Sequence, residues 1–116
     1  MGISRREGTP IVAVDGEVDV ANVSMVRSRV IAAVPNVSPG LILDLTKTTY
    51  LDSRAIHMIL EIADRLATTR QQLLVVAPEG GLIHRVLLLT HIDGFVPLHQ
   101  TVDDALRQLL VPGRSP

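Results

Sequence analysis

The 116-residue sequence contains no cysteine and no tryptophan, and its only aromatic residues are Tyr50 and Phe95. The absence of cysteine excludes thiol nucleophiles, iron–sulfur clusters and cysteine-ligated zinc. Two aromatic side chains are too few to form the stacking surface that single-stranded nucleic acids require. An excess of basic residues is also missing, because 11 Lys and Arg against 12 Asp and Glu give a net charge of −1. We therefore expect no nucleic-acid partner.

Long hydrophobic runs are missing as well. No stretch approaches the roughly 20 apolar residues of a membrane span, so no membrane insertion is expected. The apolar run that follows Arg5 and Arg6, Ile11–Val14, is too short for a signal peptide. The remaining composition, 47% hydrophobic and 20% charged, is typical of a folded domain that needs neither disulfide nor metal. A cytoplasmic protein is the default expectation.

Short apolar runs typical of buried strands alternate along the chain with amphipathic stretches. We interpret residues 1–110 as one domain and residues 111–116 as a short tail, because no repeat or long linker interrupts the pattern. The segment from Thr46 to Leu51 is expected to be a loop. Strands are predicted at Ile11–Val14, Leu41–Leu45, Leu73–Ala77, a short edge segment Phe95–Leu98 that contains Pro97, and, more weakly, Gly2–Arg5.

Apolar residues spaced three and four apart predict four helices. The first covers about residues 20–34, the second begins at Asp52–Ser53, the third has Pro78 in its first turn, and the last starts at Thr101–Asp104. The inward side chains expected on the third helix are Leu82, Ile83, Val86 and Leu89. The whole pattern predicts an α/β sandwich with a mixed, largely parallel sheet of four to five strands and about four helices.

Four patterns for catalysis or metal binding are incomplete. A phosphate-binding loop needs a lysine after glycine, but the only lysine, Lys47, lies between two threonines. A serine hydrolase elbow needs flanking glycines, which Ser53 lacks. His57 and Glu61 share a helix face, yet one such pair is typical of solvated side chains. A phosphoaspartyl receiver centred on Asp44 lacks its lysine. We therefore expect no catalytic residue, no metal and no cofactor.

The Asp52–Ser53 pair has two interpretations. One of the two side chains can cap the following helix. Alternatively, the Ser53 hydroxyl is exposed at the amino end of that helix, where free amides and the helix dipole stabilise a phosphate. A phosphoserine adds about −1.5 to −2 charge, enough to disrupt a partner surface matched to a neutral serine. Arg54 can pair with such a phosphate or remain solvated, and the sequence leaves these alternatives open.

Four segments of the sequence carry a resemblance to a known family. Each segment is a weak signal alone, but their common order and spacing make the resemblance more specific. They are Gly16–Asp19, Leu43–Ser53, Arg85–Phe95 and Thr101–Leu106. Together they resemble the STAS domain, the fold of bacterial anti-sigma factor antagonists, over about residues 10–110. The resemblance implies the STAS-type α/β fold.

The resemblance also implies a function. An anti-sigma factor antagonist is a ligand and a substrate, not an enzyme: it binds an anti-sigma factor with a histidine-kinase-like ATPase fold, which then releases its sigma factor. The bound kinase phosphorylates a serine that follows Asp at the start of the second helix, and a phosphatase reverses the reaction. By position, the phosphoacceptor here would be Ser53, with Asp52 beside it and Asp19 in the neighbouring partner-facing turn.

The sequence departs from the family pattern directly after this serine. Family members commonly continue with small residues and glycines that allow a partner to approach, whereas this chain has Arg54, Ala55 and His57. Arg54 and His57 therefore either hinder a kinase or mark a different partner. The partner-binding residues predicted from the resemblance are Asp19, Asp52, Ser53, Arg54 and His57.

The alternative function is that of a STAS adaptor that never uses Ser53 as a switch. Examples are a stressosome-like scaffold and the small cytoplasmic subunit of a lipid-transport ATPase complex. Nucleotide binding is not predicted, because Gly80–Gly81 before the third helix is too weak a phosphate-binding signal. The oligomeric state stays open.

Overall fold

The apolar runs form the strands, and the amphipathic stretches form the helices that cover them. This arrangement is seen in a computed structural model that describes residues 1–110. The predicted tail at residues 111–116 lies outside the described residues. In chain order the elements are β1 (Gly2–Arg6), β2 (Thr9–Ala13), β3 (Gly16–Val18), α1 (Val23–Ala32), β4 (Gly40–Asp44), β5 (Thr48–Leu51), α2 (Ser53–Ala67), β6 (Gln72–Val76), α3 (Leu82–Leu89), a 3-10 turn (Ile92–Gly94), β7 (Leu98–His99) and α4 (Val102–Leu110).

The main sheet has the strand order β1-β2-β4-β6-β7. β1 runs antiparallel to β2, whereas the other neighbouring pairs are parallel. In the centre, Leu41 lies opposite Leu73 and Leu43 lies opposite Val75. The prediction of an α/β sandwich with a mixed, largely parallel sheet is confirmed.

Both faces of the main sheet are covered, which explains why its central strands are continuously apolar. Side chains of β4 and β6 alternate between the two faces: Leu43 and Val75 pack with α1, α2 and α3, whereas Ile42 and Leu74 pack with α4. All four of these side chains are fully buried. No helix among residues 1–110 has the length and apolar character needed to cross a membrane.

The prediction of a loop at Thr46–Leu51 is wrong for Thr48–Leu51, which form strand β5. Residues of β5 pair in parallel with β3, which the sequence did not predict, and the two form a separate small sheet. Thr48 is buried and donates its hydroxyl hydrogen to the carbonyl of Val14 at 2.6 Å, while Leu51 enters the core. The polar residues of β5 gave no strand pattern in the sequence, because this strand is formed by pairing with a segment distant in sequence.

The first helix and the edge strand are shorter than predicted. α1 begins at Val23 because the residues before it form a hydrogen-bonded turn, and it ends at Ala32. The edge strand β7 pairs with β6 through Leu98 and His99, although the carbonyl of Pro97 still accepts a hydrogen bond from Val75 at 3.1 Å. Phe95 lies outside the strand and is 74% exposed.

The predicted start and inward face of the third helix are also wrong. Pro78 precedes a turn instead of lying in the first helical turn, and Gly81 is the residue before α3. Ile83 is buried as expected, but Leu82 is 61% exposed and Leu89 is 72% exposed. The later start gives a helix of two turns whose buried residues are Ile83 and Leu87.

Gly40 lies where β4 approaches β6 closely, so a substitution at this position tests the packing of the main sheet. A Cβ atom at this position would lie 2.1 Å from the carbonyl oxygen of Gln72 on the neighbouring strand. The methyl group can be accommodated only if β4 and β6 move apart and weaken their hydrogen bonds. We expect Gly40→Ala to lower the free energy of unfolding by about 2–3 kcal/mol, measured by urea denaturation with far-ultraviolet circular dichroism.

Gly2→Ala is the matched control, because Gly2 also begins a strand but has no atom within 4 Å of its added Cβ. Its effect should stay below about 0.5 kcal/mol. Equal losses in the two variants would contradict the proposed close packing of β4 against β6.

Candidate partner-binding site

Asp52 links the small sheet to α2 and caps that helix. Its extended backbone (φ −94°, ψ −177°) is typical of an N-cap residue. Oδ1 of Asp52 accepts a hydrogen bond from the amide of Ala55 at 2.9 Å, and its backbone carbonyl accepts one from Ile56 at 3.1 Å. The expectation that Asp52 or Ser53 caps the helix is therefore confirmed, with Asp52 as the cap.

The second carboxylate oxygen of Asp52 holds a distant turn. Oδ2 accepts a hydrogen bond from the amide of Val20 at 2.9 Å, across 32 residues of sequence. The Asp52 amide in turn donates to the carbonyl of Val18 at 3.2 Å. These bonds bring the turn between β3 and α1 beside the start of α2. Asp19 and Ser53, predicted to share one surface, are thereby placed on adjacent segments.

Asp19 shapes the turn between β3 and α1. Oδ1 of Asp19 accepts a hydrogen bond from Ala21 at 2.9 Å, and its carbonyl accepts one from Val23 at 2.8 Å. The side chain of Asn22 locks the turn from the other side, accepting from the Asp19 amide at 3.0 Å and donating to the carbonyl of Glu17 at 2.8 Å. The sequence analysis missed Asn22, although an Asp and an Asn three residues apart are typical of such turns.

Ser53 occupies the first position of α2, a helix of 15 residues, and is exposed. Within the part of the chain that the structure describes, no hydrogen-bond partner is recorded for its hydroxyl. The helix dipole places positive potential at this end. The hydroxyl is thus free for a reaction, and it lies where added negative charge is favourable.

Two exposed apolar side chains border this region. Val20, whose amide is bound by Asp52, is 65% exposed, and Tyr50, two residues before Asp52, is 48% exposed. Sequence reasoning missed both, because Val20 was assigned to an amphipathic helix and Tyr50 to a loop. Apolar groups beside an exposed hydroxyl form part of a surface suited to contact with a protein.

The other predicted residues lie on the first two turns of α2. Arg54 and His57 are both exposed. Nε2 of His57 lies 3.6 Å from Oε1 of Glu61, whose Oε2 lies 3.4 Å from the guanidinium of Arg27 on α1. Such half-exposed pairs contribute little to stability and remain free to change partners. No group of three or more metal-ligating side chains is found among residues 1–110.

The chain belongs to the STAS domain family, whose family model matches residues 2–105. No match is found among curated proteins.

Solved structures extend the comparison. This structure is similar to an anti-sigma factor antagonist from Mycobacterium paratuberculosis, with a TM-score of 0.77 and 25% identity, covering 92% of this chain and 90% of that one. It is similar to the unphosphorylated antagonist SpoIIAA of Bacillus, with a TM-score of 0.73 and 14% identity over 93% and 94% of the two chains. It is also similar to the STAS domain of a SulP transporter from Vibrio cholerae, with a TM-score of 0.69 and 17% identity over 92% and 84%. The last two show the fold alone.

The two hydrogen bonds of the Asp52 carboxylate can be separated by substitution. We expect Asp52→Ala to lower the free energy of unfolding by about 2 kcal/mol, because it removes both the helix cap and the bond to Val20. Asp52→Asn should cost about half as much, since asparagine caps helices well but its amide nitrogen cannot accept from Val20. Urea denaturation gives the energies, and amide hydrogen exchange at Val20 follows the second bond.

Asp64→Ala is the control, because Asp64 is exposed on the same helix with no hydrogen bond recorded among residues 1–110. If Asp64→Ala destabilises the protein as much as Asp52→Ala, or if Val20 exchanges unchanged in both Asp52 variants, the bridging role of Asp52 is wrong.

Ser53 itself should be dispensable for folding. Because Asp52 is the cap and the Ser53 hydroxyl has no recorded partner, Ser53→Ala is expected to change the free energy of unfolding by less than about 0.5 kcal/mol. A loss of 1 kcal/mol or more in urea denaturation, the order of a lost helix cap, would show that the hydroxyl stabilises the fold.

Proposed function

We propose that this STAS domain is an anti-sigma factor antagonist whose binding is switched off by phosphorylation of Ser53. Its partner is a cytoplasmic anti-sigma factor with a histidine-kinase-like ATPase fold, and a serine phosphatase restores the active form. Binding releases a sigma factor and so regulates transcription. The observation that carries this proposal is the free, exposed Ser53 hydroxyl at the amino end of α2, beside a capping aspartate.

Phosphorylation would transfer the γ-phosphoryl group of ATP to Oγ of Ser53. The new P–O bond forms at Oγ, the bond from the γ-phosphorus to the bridging oxygen breaks, and ADP leaves with the electron pair. The hydroxyl proton needs an acceptor. The Asp52 carboxylate is held by the amides of Val20 and Ala55, and no hydrogen bond recorded among residues 1–110 joins it to the Ser53 hydroxyl, so the base is expected to come from the kinase.

The phosphate is expected to act on the interface and not on the fold. At the amino end of α2 it meets the positive end of the helix dipole, and Arg54 is the next residue. For a partner that contacts Val20 and Tyr50, however, about −1.5 to −2 added charges would have to be buried beside apolar side chains. The modified protein therefore stays folded and loses its partner.

The proposed partner surface comprises the five residues named from the sequence together with the apolar border. Arg54 and His57 are exposed beside the acceptor, where family members commonly carry small residues. A partner must therefore provide space or acceptors for a guanidinium and an imidazole. We infer that these two side chains select which anti-sigma factor binds.

A second candidate function is a STAS adaptor that does not use Ser53 as a switch, such as a stressosome-like scaffold or a cytoplasmic subunit of a lipid-transport ATPase complex. A SulP transporter also contains a STAS domain of this fold, so the fold itself is compatible with this alternative. In that case the Asp52 cap organises the junction, and Ser53 is a neutral exposed residue whose replacement by Ala affects neither stability nor assembly.

Paired affinity purification distinguishes the two functions. Ser53→Ala and Ser53→Asp proteins of verified fold serve as baits in a lysate of the native cells, and mass spectrometry identifies what each retains. We expect a small histidine-kinase-like ATPase to be kept by Ser53→Ala. Its retention by Ser53→Asp should fall at least about tenfold, equivalent to about 1.4 kcal/mol of binding free energy.

Ser4→Asp is the matched control. Ser4 is exposed on the edge strand β1, so this variant introduces the same negative charge at a position distant in sequence from Ser53. It should retain the ATPase as the unmodified protein does. Retention of the same transporter subunits or larger STAS proteins by both Ser53 variants would support the adaptor instead.

A further inference from the structure

A groove between α1 and α2 begins at the first turns of α2. Its first section, of about 210 Å³, is lined in part by Arg54 and His57. The next section, of about 510 Å³, shares Arg27 and Glu61 with the first. The two sections are therefore continuous along the helix pair.

The groove continues to the end of α2. The 510 Å³ section shares Ile31, Ile62 and Arg65 with a third section of about 380 Å³, which reaches Thr68. From Arg54 to Thr68 the helical rise gives a length of about 21 Å, which matches a helix of about 15 residues. The groove is thus long enough for an entire helix of a partner.

The floor of the groove is apolar. Ile62 on α2 and Ile31 on α1 line its middle, and Met58 and Leu66 line its two ends. Ile62, Met58 and Leu66 are almost completely buried. The apolar atoms that a partner can reach therefore come mainly from Val23, Ile31 and Val34, which pack partly exposed against the core. Side chains of leucine or isoleucine type would cover the exposed part of this floor.

The rim of the groove is basic in a protein whose net charge is −1. Arg27, Arg54 and Arg65 line its three sections, and Glu61 is the single acidic residue lining them within residues 1–110. The Arg27–Glu61 pair is long, at 3.4 Å, and its side chains are 43% and 45% exposed. Because such pairs are weak, an incoming carboxylate can take over Arg27.

We propose that this groove binds an acidic amphipathic helix of a partner protein. Apolar residues on one face of that helix would pack on Ile31 and Val34. Asp or Glu residues on its edges would form bidentate pairs with Arg27, Arg54 and Arg65. The apolar floor and the scarcity of aromatic residues favour a protein over a nucleic acid. This inference goes beyond the switch, since it does not require modification of Ser53.

Designed peptides test the proposal without knowledge of the partner. The probe is a helix of about 15 residues with leucine on one face and glutamate elsewhere, and its controls carry glutamine or lysine in place of glutamate. Titrated into the nitrogen-15-labelled full chain, the glutamate peptide should shift the amide signals of Ser28, Ile31, Ile62 and Arg65. It should bind at least tenfold more tightly than the lysine peptide.

Charge removal in the middle of the groove gives the second readout. Arg27→Gln/Arg65→Gln should weaken binding of the glutamate peptide at least tenfold, whereas Arg29→Gln/Arg85→Gln removes two arginines outside the groove and should not. Arg54 is left intact so that the Ser53 region is unchanged, and the result is independent of the proposed switch. Well-dispersed amide spectra verify the fold of both variants.

Three results with the peptides would overturn the proposal: no groove shifts with the glutamate peptide, equal binding of the lysine peptide, or unchanged affinity of the Arg27→Gln/Arg65→Gln variant. Stronger shifts of the same groove amides by a single-stranded oligonucleotide would also overturn it, in favour of a nucleic-acid site.

Discussion

The candidate site depends on one carboxylate, that of Asp52, which accepts two backbone hydrogen bonds from different segments. Asp52 uses Oδ1 to cap α2 through Ala55 and Oδ2 to hold the turn before α1 through Val20. Without this carboxylate, α2 would lose its side-chain cap, and the turn before α1 would lose its side-chain hydrogen bond to the start of α2. The same two hydrogen bonds fix the Asp52 carboxylate on the backbone, and no hydrogen bond recorded among residues 1–110 joins it to the Ser53 hydroxyl. Asp52 is therefore a structural bridge between α2 and the turn before α1.

The parts of the fold that depend on local pattern could be predicted, and the parts that depend on distant pairing could not. The buried strands and the start of α2 follow from apolar runs and from the Asp52–Ser53 dipeptide. β5 could not be predicted because it is formed by contacts between segments distant in sequence. It pairs with β3, and the Thr48 hydroxyl donates a hydrogen bond to the carbonyl of Val14, 34 residues away. The inward face of α3 was misassigned because a turn that ends at Gly81 delays the helix. In the site, the acidic and hydroxyl residues were visible in the sequence, whereas the exposed Val20 required the turn geometry.

Two surfaces meet on α2, and they have different chemistry. The junction around Ser53 combines an exposed hydroxyl with the exposed apolar side chains of Val20 and Tyr50, so an added phosphate would change its chemistry strongly. The groove between α1 and α2 has an apolar floor and an arginine rim, which suits an acidic partner. Arg54 lies at the boundary of both. A phosphate on Ser53 would compete for that guanidinium, which gives the fold a physical means to couple modification at the junction to occupancy of the groove.

The most direct test of the central claim is to locate phosphate on the protein isolated from its native cells, by intact mass and tandem mass spectrometry. The account predicts a population heavier by one phosphoryl group, with the modification on Ser53 and absent from the Ser53→Ala protein. A protein that stays unmodified across growth and stress conditions, or that carries its phosphate on another residue, would contradict the switch.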